Sequence, residues 1–336
     1  MAFREWLDAA RAETPEADPD RCVHAHAEVA GCRVCVDACP RNAWVLDDEA
    51  LAIDAAACNG CGLCVGRCPQ NALSLDSVWP PPSAPASAVV VSCQRAAGDP
   101  AGWRLPCIDA LGLNHLVMLY ECGVRSIALA TGDCAACASG AGRWLRLELA
   151  RWNQVLAQRG MAAMQLTGTG AQPRVPDVGP GQTRRDFFRS LLHVAATHEF
   201  PHHYPEDSAA DVVLPPAAPG DLVLFAPRID SARCDGCDAC IRICPHGALE
   251  LAPAADAYRI RADACNGCAL CRDVCEREAI EVLAQSRLER TEVPLRAQNC
   301  RACGAPCHWP VEHAGENRYC HVCTQVKHTR KLFQVI

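Results

Sequence analysis

Hydrophobic and polar positions form two kinds of pattern in the middle of the chain, between about residues 88 and 170. Short apolar runs at Val89–Val91, Ser126–Thr131 and Met161–Leu166 have the length of buried strands. The segments Leu113–Tyr120 and Leu145–Leu156 carry apolar residues three or four positions apart, which is helical spacing. Buried strands that alternate with amphipathic helices predict a small α/β domain with a parallel sheet.

The segments on either side of this domain share one layout. Each has a cysteine array, a short spacer that suits a hairpin, and a second array, over Cys32–Cys68 and Cys234–Cys275. Stretches rich in Pro, Ala or Gly at 80–87, 172–182 and 215–220 neither pair in a sheet nor continue a helix, so they predict linkers. The chain therefore predicts a duplicated module at both ends of the α/β domain.

This reading divides the chain into segments with the following expected bounds. They are an N-terminal helix (1–20), a first module (21–79), a linker (80–87), the α/β domain (88–170), a linker with a helix at 183–198 (171–220), a second module (221–285) and a tail (286–336). The tail has few strand or helix signals and five cysteines, so we expect it to depend on a metal to fold.

Cysteine content changes the picture most. The chain has 26 cysteines in 336 residues, a density that fits a disulfide scaffold or a metal protein. It is too long for a disulfide mini-scaffold, and residues 1–20 lack the apolar region of a signal peptide. We therefore expect a cytoplasmic protein with reduced thiols that bind metals. The net charge of −7 argues against a nucleic-acid partner. The sequence has no run of about 18 apolar residues, so we expect no membrane span.

Three arrays have the spacing C-x2-C-x2-C-x3-C, which is that of iron–sulfur proteins. Three close thiolates surround one cluster, and the fourth, one helical turn later, points to the neighbouring cluster. Zinc also takes four thiolates, but tandem pairs at this spacing are not a zinc pattern. The arrays are Cys58, Cys61, Cys64, Cys68; Cys234, Cys237, Cys240, Cys244; and Cys265, Cys268, Cys271, Cys275.

These motifs resemble the bacterial two-cluster [4Fe–4S] ferredoxin family, over roughly 21–79 and 228–285. The resemblance implies two β/α modules for one-electron transfer, each with two clusters whose ligands cross between arrays. The implied ligand sets are Cys22, Cys32, Cys35, Cys68; Cys58, Cys61, Cys64, Cys39; Cys234, Cys237, Cys240, Cys275; and Cys265, Cys268, Cys271, Cys244.

The first array departs from this pattern, because Val29 stands where its first ligand is expected. Cys22 lies upstream, and we predict that it supplies the missing thiolate. A [3Fe–4S] cluster, a site with three cysteines, or ligation by His24 or His26 remain alternatives.

The central domain carries Cys93, Cys107, Cys134 and Cys137 just after its apolar runs. The carboxyl ends of parallel strands meet at one edge, so we expect the four sulfurs to converge within one metal-site radius and to hold a [2Fe–2S] cluster. Cys122 lies in a predicted helix and is expected on a packing face.

The order of these cysteines resembles the iron–sulfur delta subunit of methyl-viologen-reducing hydrogenases, an electron adaptor family. The C-x2-C at Cys134 and Cys137 replaces a wider spacing, and one early family cysteine is missing. A redox-active dithiol or an unliganded thiol set remain alternatives.

The tail carries two further pairs, Cys300-x2-Cys303 and Cys320-x2-Cys323, a spacing typical of a zinc ribbon. An Fe(Cys)₄ site is the alternative. Cys307, His313 and His321 are spare donors that we expect to be bystanders. The segment Thr183–Arg189 resembles a twin-arginine signal but lies in mid-chain, where an amphipathic linker helix is expected. His198, His202 and His203 are expected in a solvated loop.

The predicted fold class is α+β multidomain: two ferredoxin-like 2[4Fe–4S] modules flank a small parallel-sheet domain, with a zinc-ribbon-like tail. The predicted function is electron transfer by a polyferredoxin-like wire, as a non-catalytic subunit that serves a dehydrogenase, hydrogenase or reductase complex. Expected partners include formate dehydrogenase or hydrogenase subunits. The alternatives are an accessory or maturation ferredoxin for a molybdenum enzyme such as formate dehydrogenase or nitrate reductase, and an oxidoreductase with a central dithiol.

Overall fold

The computed structural model describes residues 13–46, 51–78, 87–97, 102–135, 137, 143–168, 215–313 and 319–325. The helices are α1 Val23–His26, α2 Val34–Ala38, α3 Leu63–Arg67, α4 Leu113–Glu121, α5 Trp144–Gln158, α6 Ala239–Ile243, α7 Leu270–Asp273 and α8 His321–Gln325. The strands are β1 Glu16–Ala17, β2 Trp44–Leu46, β3 Leu51–Ile53, β4 Leu73–Ser74, β5 Ala88–Cys93, β6 Trp103–Leu105, β7 Ser126–Ala130, β8 Gln165–Gly168, β9 Leu222–Ile229, β10 Leu249–Leu251, β11 Ala257–Ile260, β12 Ile280–Arg287, β13 Glu292–Asn299 and β14 Pro306–Pro310.

The central domain is a parallel four-stranded sheet in the order β6-β5-β7-β8, which confirms the predicted architecture. The helices α4 and α5 follow the predicted apolar periodicity and bury Leu116, Leu145 and Trp152. The last strand begins at Gln165, later than predicted from the run at Met161. The side chain of Asn153 bonds to both the N and the O of Met164, which fixes this stretch as the connection before the strand.

Each flanking module contains the hairpin predicted for its spacer, β2–β3 in the first and β10–β11 in the second. A second antiparallel pair joins the start and the end of each module. In the first module this pair is β1–β4, and in the second it is the longer β9–β12. The duplication seen in the cysteine spacing therefore extends to the strand pairing.

The expected N-terminal helix is not present over residues 13–20, where β1 pairs with β4 instead. Pro15 and Pro19 flank this strand, and proline interrupts a helix because it lacks the amide N–H. The rest of that expectation, residues 1–12, lies outside the described residues. The same holds for most of both predicted linkers, for the helix at 183–198 and for His198, His202 and His203.

The first module and the central domain share one hydrophobic core, to which Trp44 and Leu73 contribute together with Leu105 and Trp152. Their backbones approach closely at Gly66 and Gly112. A Cβ placed on either glycine would overlap the backbone of the other segment, so only glycine fits at this crossing.

The tail contains two strands, β13 and β14, although its sequence has few strand signals. They extend the hairpin of the second module into an antiparallel sheet in the order β10-β11-β13-β14. Alternation of buried Val293 and Leu295 is present in β13, but Pro294 between them obscured it, because proline is rare inside sheets.

Among the described helices, none is long and apolar enough to cross a lipid bilayer.

Candidate metal centres

The four cysteines that end the arrays each begin the same turn. The third residue after the cysteine has a positive φ, at Asn42, Asn71, Gly247 and Glu278, with values from 46° to 60°. The following alanine donates its backbone N–H to the cysteine Sγ at 3.3 Å in all four cases. These pairs are Ala43 to Cys39, Ala72 to Cys68, Ala248 to Cys244 and Ala279 to Cys275. The repeated N–H···S bond holds each sulfur as an acceptor, and such bonds set cluster potentials.

The loop that opens an array has a repeated backbone in three of the four cases. The residue after the second cysteine is left-handed at Gly62, Asp238 and Ala269, with φ of 72°, 64° and 62°. In the first array the corresponding residue, Arg33, has φ −129°. This is the array that lacks its first cysteine, so the local backbone departs where the sequence departs.

Two cavities are each lined by the four cysteines of one implied crossed set. One has a volume of about 290 Å³ with its open mouth included, and the other about 340 Å³. The first contains Cys39 with Cys58, Cys61 and Cys64; the second contains Cys244 with Cys265, Cys268 and Cys271. In both, the fourth cysteine comes from the other array of its module, as a two-cluster ferredoxin requires.

The other two implied cysteine sets show the same crossing between arrays in the pKa shifts of their thiols. Burial raises the pKa of Cys68, and the thiolate charges of Cys32 and Cys22 raise it further. Burial raises the pKa of Cys35 to about 12, with a further contribution from Cys68. The upstream Cys22 therefore lies near the thiols of the first array.

The positions of His24 and His26 disfavour them as ligands of this set. Nε2 of His24 lies 2.7 Å from the backbone O of Cys32, so this nitrogen is engaged by the backbone. His26 is exposed, as is Val29 at the vacant position of the array.

In the second module, Cys240 lies in the corresponding environment. Burial raises its pKa, followed by the charges of Cys234, Cys237 and Cys275. Cys275 belongs to the other array, so the crossing is repeated here.

The chemistry of these donors fits a cationic cluster. Buried, crowded thiols resist deprotonation, because a thiolate there is poorly solvated and repelled by its neighbours. A bound metal centre offsets both costs and displaces the protons. Cavities lined by four cysteines, with backbone N–H groups directed at the sulfurs, therefore suit [4Fe–4S] clusters.

The four central cysteines lie near the carboxyl edge of the parallel sheet. Cys93 ends β5 and accepts a hydrogen bond from the N–H of Gly132 at 3.3 Å. Burial raises the pKa of Cys134, and the charges of Cys93 and Cys137 add to this effect. Burial also raises the pKa of Cys107 to about 12, with smaller contributions from Asp109, Cys61 and Cys137.

Within the described ranges, the group with all ligand atoms within 4.8 Å of one another, the spacing of a single-ion site, is the tail set. The central thiols do not form such a group, but they lie close enough to affect one another's pKa. Their convergence around a two-iron cluster stays a prediction.

The expectation for Cys122 was wrong, because this residue is exposed. It follows the last residue of α4, and Gly123, with φ 88°, turns the chain away from the helix. Cys122 therefore lies beyond the buried face of α4 and is exposed to solvent.

The tail brings together Cys300, Cys303, Cys320 and Cys323, with all four sulfurs within 4.8 Å of one another. Cys300 has a pKa below its usual value. Burial opposes this shift, but hydrogen bonds from the backbone N–H groups of Cys303, Cys320 and Ala302 outweigh it. Four thiolates this close suit one tetrahedral metal ion.

Two groups near the sites were not identified from the sequence. Asp109 is buried, accepts from the N–H of Leu145 at 3.0 Å at the start of α5, and lies near Cys107. Asp238 accepts from the hydroxyl of Tyr258 at 2.6 Å and lies 2.8 Å from Nε2 of His308. The spacing of Asp109, two positions after Cys107, was a sequence signal for the first group. The second had none, because the contact of Tyr258 with His308 depends on the β11–β13–β14 sheet.

Comparison with known proteins agrees with this geometry. A family model described as a 4Fe–4S dicluster domain matches residues 30–72 and 233–279. No curated protein matches the chain. Both matches lie outside the central domain, so the resemblance of that domain to the hydrogenase delta subunit has no support from them.

The class of protein follows from the two matches and the crossed cysteine geometry. The chain contains two ferredoxin-like dicluster modules joined to a parallel-sheet domain and a tail with four clustered cysteines. It is an iron–sulfur electron-transfer protein.

Proposed function

We propose that the protein is a multi-cluster electron wire with four [4Fe–4S] clusters, serving a dehydrogenase, hydrogenase or reductase complex. The observation that carries this proposal is the pair of cavities, each lined by a crossed set of four cysteines. When bound, each cluster exchanges one electron. The chain's own residues hold the sulfurs, direct backbone N–H groups at them and exclude water.

Each cluster is assigned to one crossed set. The first module uses Cys22, Cys32, Cys35, Cys68 and Cys39, Cys58, Cys61, Cys64; the second uses Cys234, Cys237, Cys240, Cys275 and Cys244, Cys265, Cys268, Cys271. The influence of Cys22 on Cys32 and Cys68 supports its role as the displaced ligand.

The central cysteines Cys93, Cys107, Cys134 and Cys137 hold a [2Fe–2S] cluster in this proposal. Support comes from their mutual influence and from the proximity of Cys107 to Cys61 of the first module. A site at this place gives the wire an entry or exit next to the Cys61 cluster. A redox partner protein exchanges electrons there.

The tail set Cys300, Cys303, Cys320 and Cys323 holds one zinc ion. Its single-ion spacing supports this assignment, and its role is structural, because β13 and β14 join the tail to the second module.

Metal analysis of anaerobically purified protein tests the proposal. We expect about 18 iron atoms and about one zinc per chain, from four cubane clusters, one [2Fe–2S] cluster and one tetrahedral site. The variant Cys64→Ser should lower the iron content, whereas Cys122→Ser, at an exposed cysteine outside every set, should not. A value near 10 iron atoms, from two cubane clusters and the [2Fe–2S] cluster, would mean that one module is empty and would contradict the four-cluster wire.

A further inference from the structure

The two dicluster modules meet along a contact that we call the module junction. Its apolar part consists of Val23 and Ala30 from the first module and Leu270 from the second, all buried. Cys32 and Cys268 both pack against these side chains. The charge of Cys32 also contributes to the pKa of Cys268, so two ligand sets from different modules face each other here.

The polar part of the module junction is a set of hydrogen bonds between the modules. Nδ2 of Asn266 donates to the backbone O of Pro69 at 2.8 Å. Nε2 of His246 lies 2.8 Å from Oε1 of Gln70 and 2.7 Å from Nδ2 of Asn266. These contacts hold the turn after Cys68 against the loops of the second module.

Gln70 is the unusual member of this set. Gln70 is only 7% exposed, and its Nε2 is buried without a hydrogen-bond partner among the described residues. A buried donor without a partner is unfavourable, so we expect a hydrogen-bond acceptor beside it.

The hydrogen bonds of the module junction connect Gln70 to the loop of Cys268. Gln70 contacts His246, His246 contacts Asn266, and Oδ1 of Asn266 accepts from the backbone N–H of Cys268 at 3.1 Å. Burial raises the pKa of Cys268, and the side chain of Gln70 opposes this shift as a hydrogen-bond partner. A donor without a partner from the first module and a thiol of the second therefore meet at the module junction.

We infer that Gln70 donates an N–H···S hydrogen bond across the module junction to Cys268 and thereby tunes the cluster of the second module. The inference rests on the proposed function, since Cys268 becomes a thiolate only when it ligates a cluster. An anionic sulfur favours the amide N–H over the carbonyl oxygen and so fixes the orientation of the Gln70 amide. A hydrogen bond to sulfur stabilises the more negative, reduced form, which raises the reduction potential. Gln70 is thus a positioning residue that makes the facing cluster a better electron acceptor.

Redox titration followed by EPR tests the tuning. In Gln70→Met, which keeps the length but removes the donor, one reductive step should shift to a more negative potential while the others stay. Gln70→Glu, which replaces the donor by a carboxylate, should shift the same step further. Gln165→Met, at an exposed glutamine outside the module junction, should leave every step in place.

A second measurement detects the hydrogen bond directly and does not depend on electron-transfer activity. Protein labelled with ¹⁵N in its glutamine side chains should show a nitrogen coupling in pulsed EPR of the reduced clusters. The coupling should persist in Gln165→Met and disappear in Gln70→Met. If Gln70→Met has full iron content and unchanged reduction potentials, or if the nitrogen coupling survives in it, the inference is overturned and the proposed function still stands. Wild-type protein without clusters would instead overturn the proposed function.

Discussion

The two dicluster modules share their array ends but differ at their first array. All four terminal cysteines lie in the same turn, with a left-handed third residue and an alanine N–H directed at the sulfur. In the second module both opening loops also have the repeated left-handed residue, at Asp238 and Ala269. In the first module only the loop at Gly62 has it, and Arg33 does not.

The difference shows which part of the motif shapes the backbone. Where three cysteines follow each other at C-x2-C-x2-C, the loop wraps tightly and requires left-handed residues. Where the first cysteine is missing, the loop relaxes at Arg33, and Cys22 approaches from the preceding segment instead. The last cysteine keeps its turn in either case, because its N–H···S bond is made within five residues.

The modules also differ in what covers them. The first packs against the central domain, with Arg67 and Glu148 paired at 3.0 Å and half-buried Arg67 stacked on Trp144. The second is extended by the tail strands β13 and β14. Its stability therefore depends on contacts such as those of Gly236 and Tyr258 with the tail.

The largest expected effect comes from a pair of ligand variants. If Cys22 replaces the missing first cysteine, Cys22→Ala and Cys234→Ala should each lose about one iron per chain and convert one cubane to a [3Fe–4S] form. Each should show a new EPR signal in the oxidised state, with the other three cubanes unchanged. An unchanged spectrum in Cys22→Ala alone would show that Cys22 is structural and that the first site lacks a fourth thiolate.

The next effect concerns the contact between the second module and the tail. Gly236 has φ 70°, and an added Cβ would overlap the backbone O of His308. Gly236→Ala should destabilise the protein by about 2–5 kcal/mol, from the left-handed backbone and from overpacking. The control Gly304→Ala, with φ 76° and no heavy atom within 4 Å of the added Cβ, should cost about 1–2 kcal/mol. Anaerobic denaturant unfolding followed by circular dichroism measures both, and equal costs would contradict the close contact.

A smaller effect is expected at Tyr258. Its hydroxyl donates to Asp238 at 2.6 Å, and no equivalent bond exists at Gly62, the matching position of the first module. Tyr258→Phe should cost about 1.5–3 kcal/mol, the usual value for a hydrogen bond to a charged group. The neighbouring Arg259→Ala removes an exposed ion pair with Glu292 and should change stability by less than about 1 kcal/mol. Similar losses in the two variants would show that the Asp238 contact is not special.

The smallest effect tests the repeated turn. Glu278 has φ 46°, where the other three turns have asparagine or glycine, residues that tolerate this backbone better. Glu278 also pairs with exposed Arg233 at 2.9 Å, so Arg233→Ala serves as the background that removes this pair. In that background Glu278→Asn should stabilise the protein by about 0.5–1 kcal/mol. The reverse change in the first module, Asn42→Glu, should cost a similar amount, and thermal unfolding compares the two.

The sequence alone determined the features that depend on short-range spacing. The cysteine arrays, the hairpin spacers and the strand–helix alternation of the central domain all follow from residues within about ten positions of one another. The four cysteines of the tail, two pairs separated by 16 residues, also assemble as their spacing predicted. Such features are visible in the sequence because they follow from local spacing and hydrophobic periodicity.

Tertiary structure alone decided the features that join distant segments. The pairing of β13 with β11 and the approach of Gln70 to Cys268 have no local signal. Gln70 and Cys268 are far apart in the sequence, and their meeting depends on how two apolar surfaces pack. Packing of this kind reflects the shape of whole modules, because hydrophobic burial is non-directional and leaves no fixed spacing in the sequence.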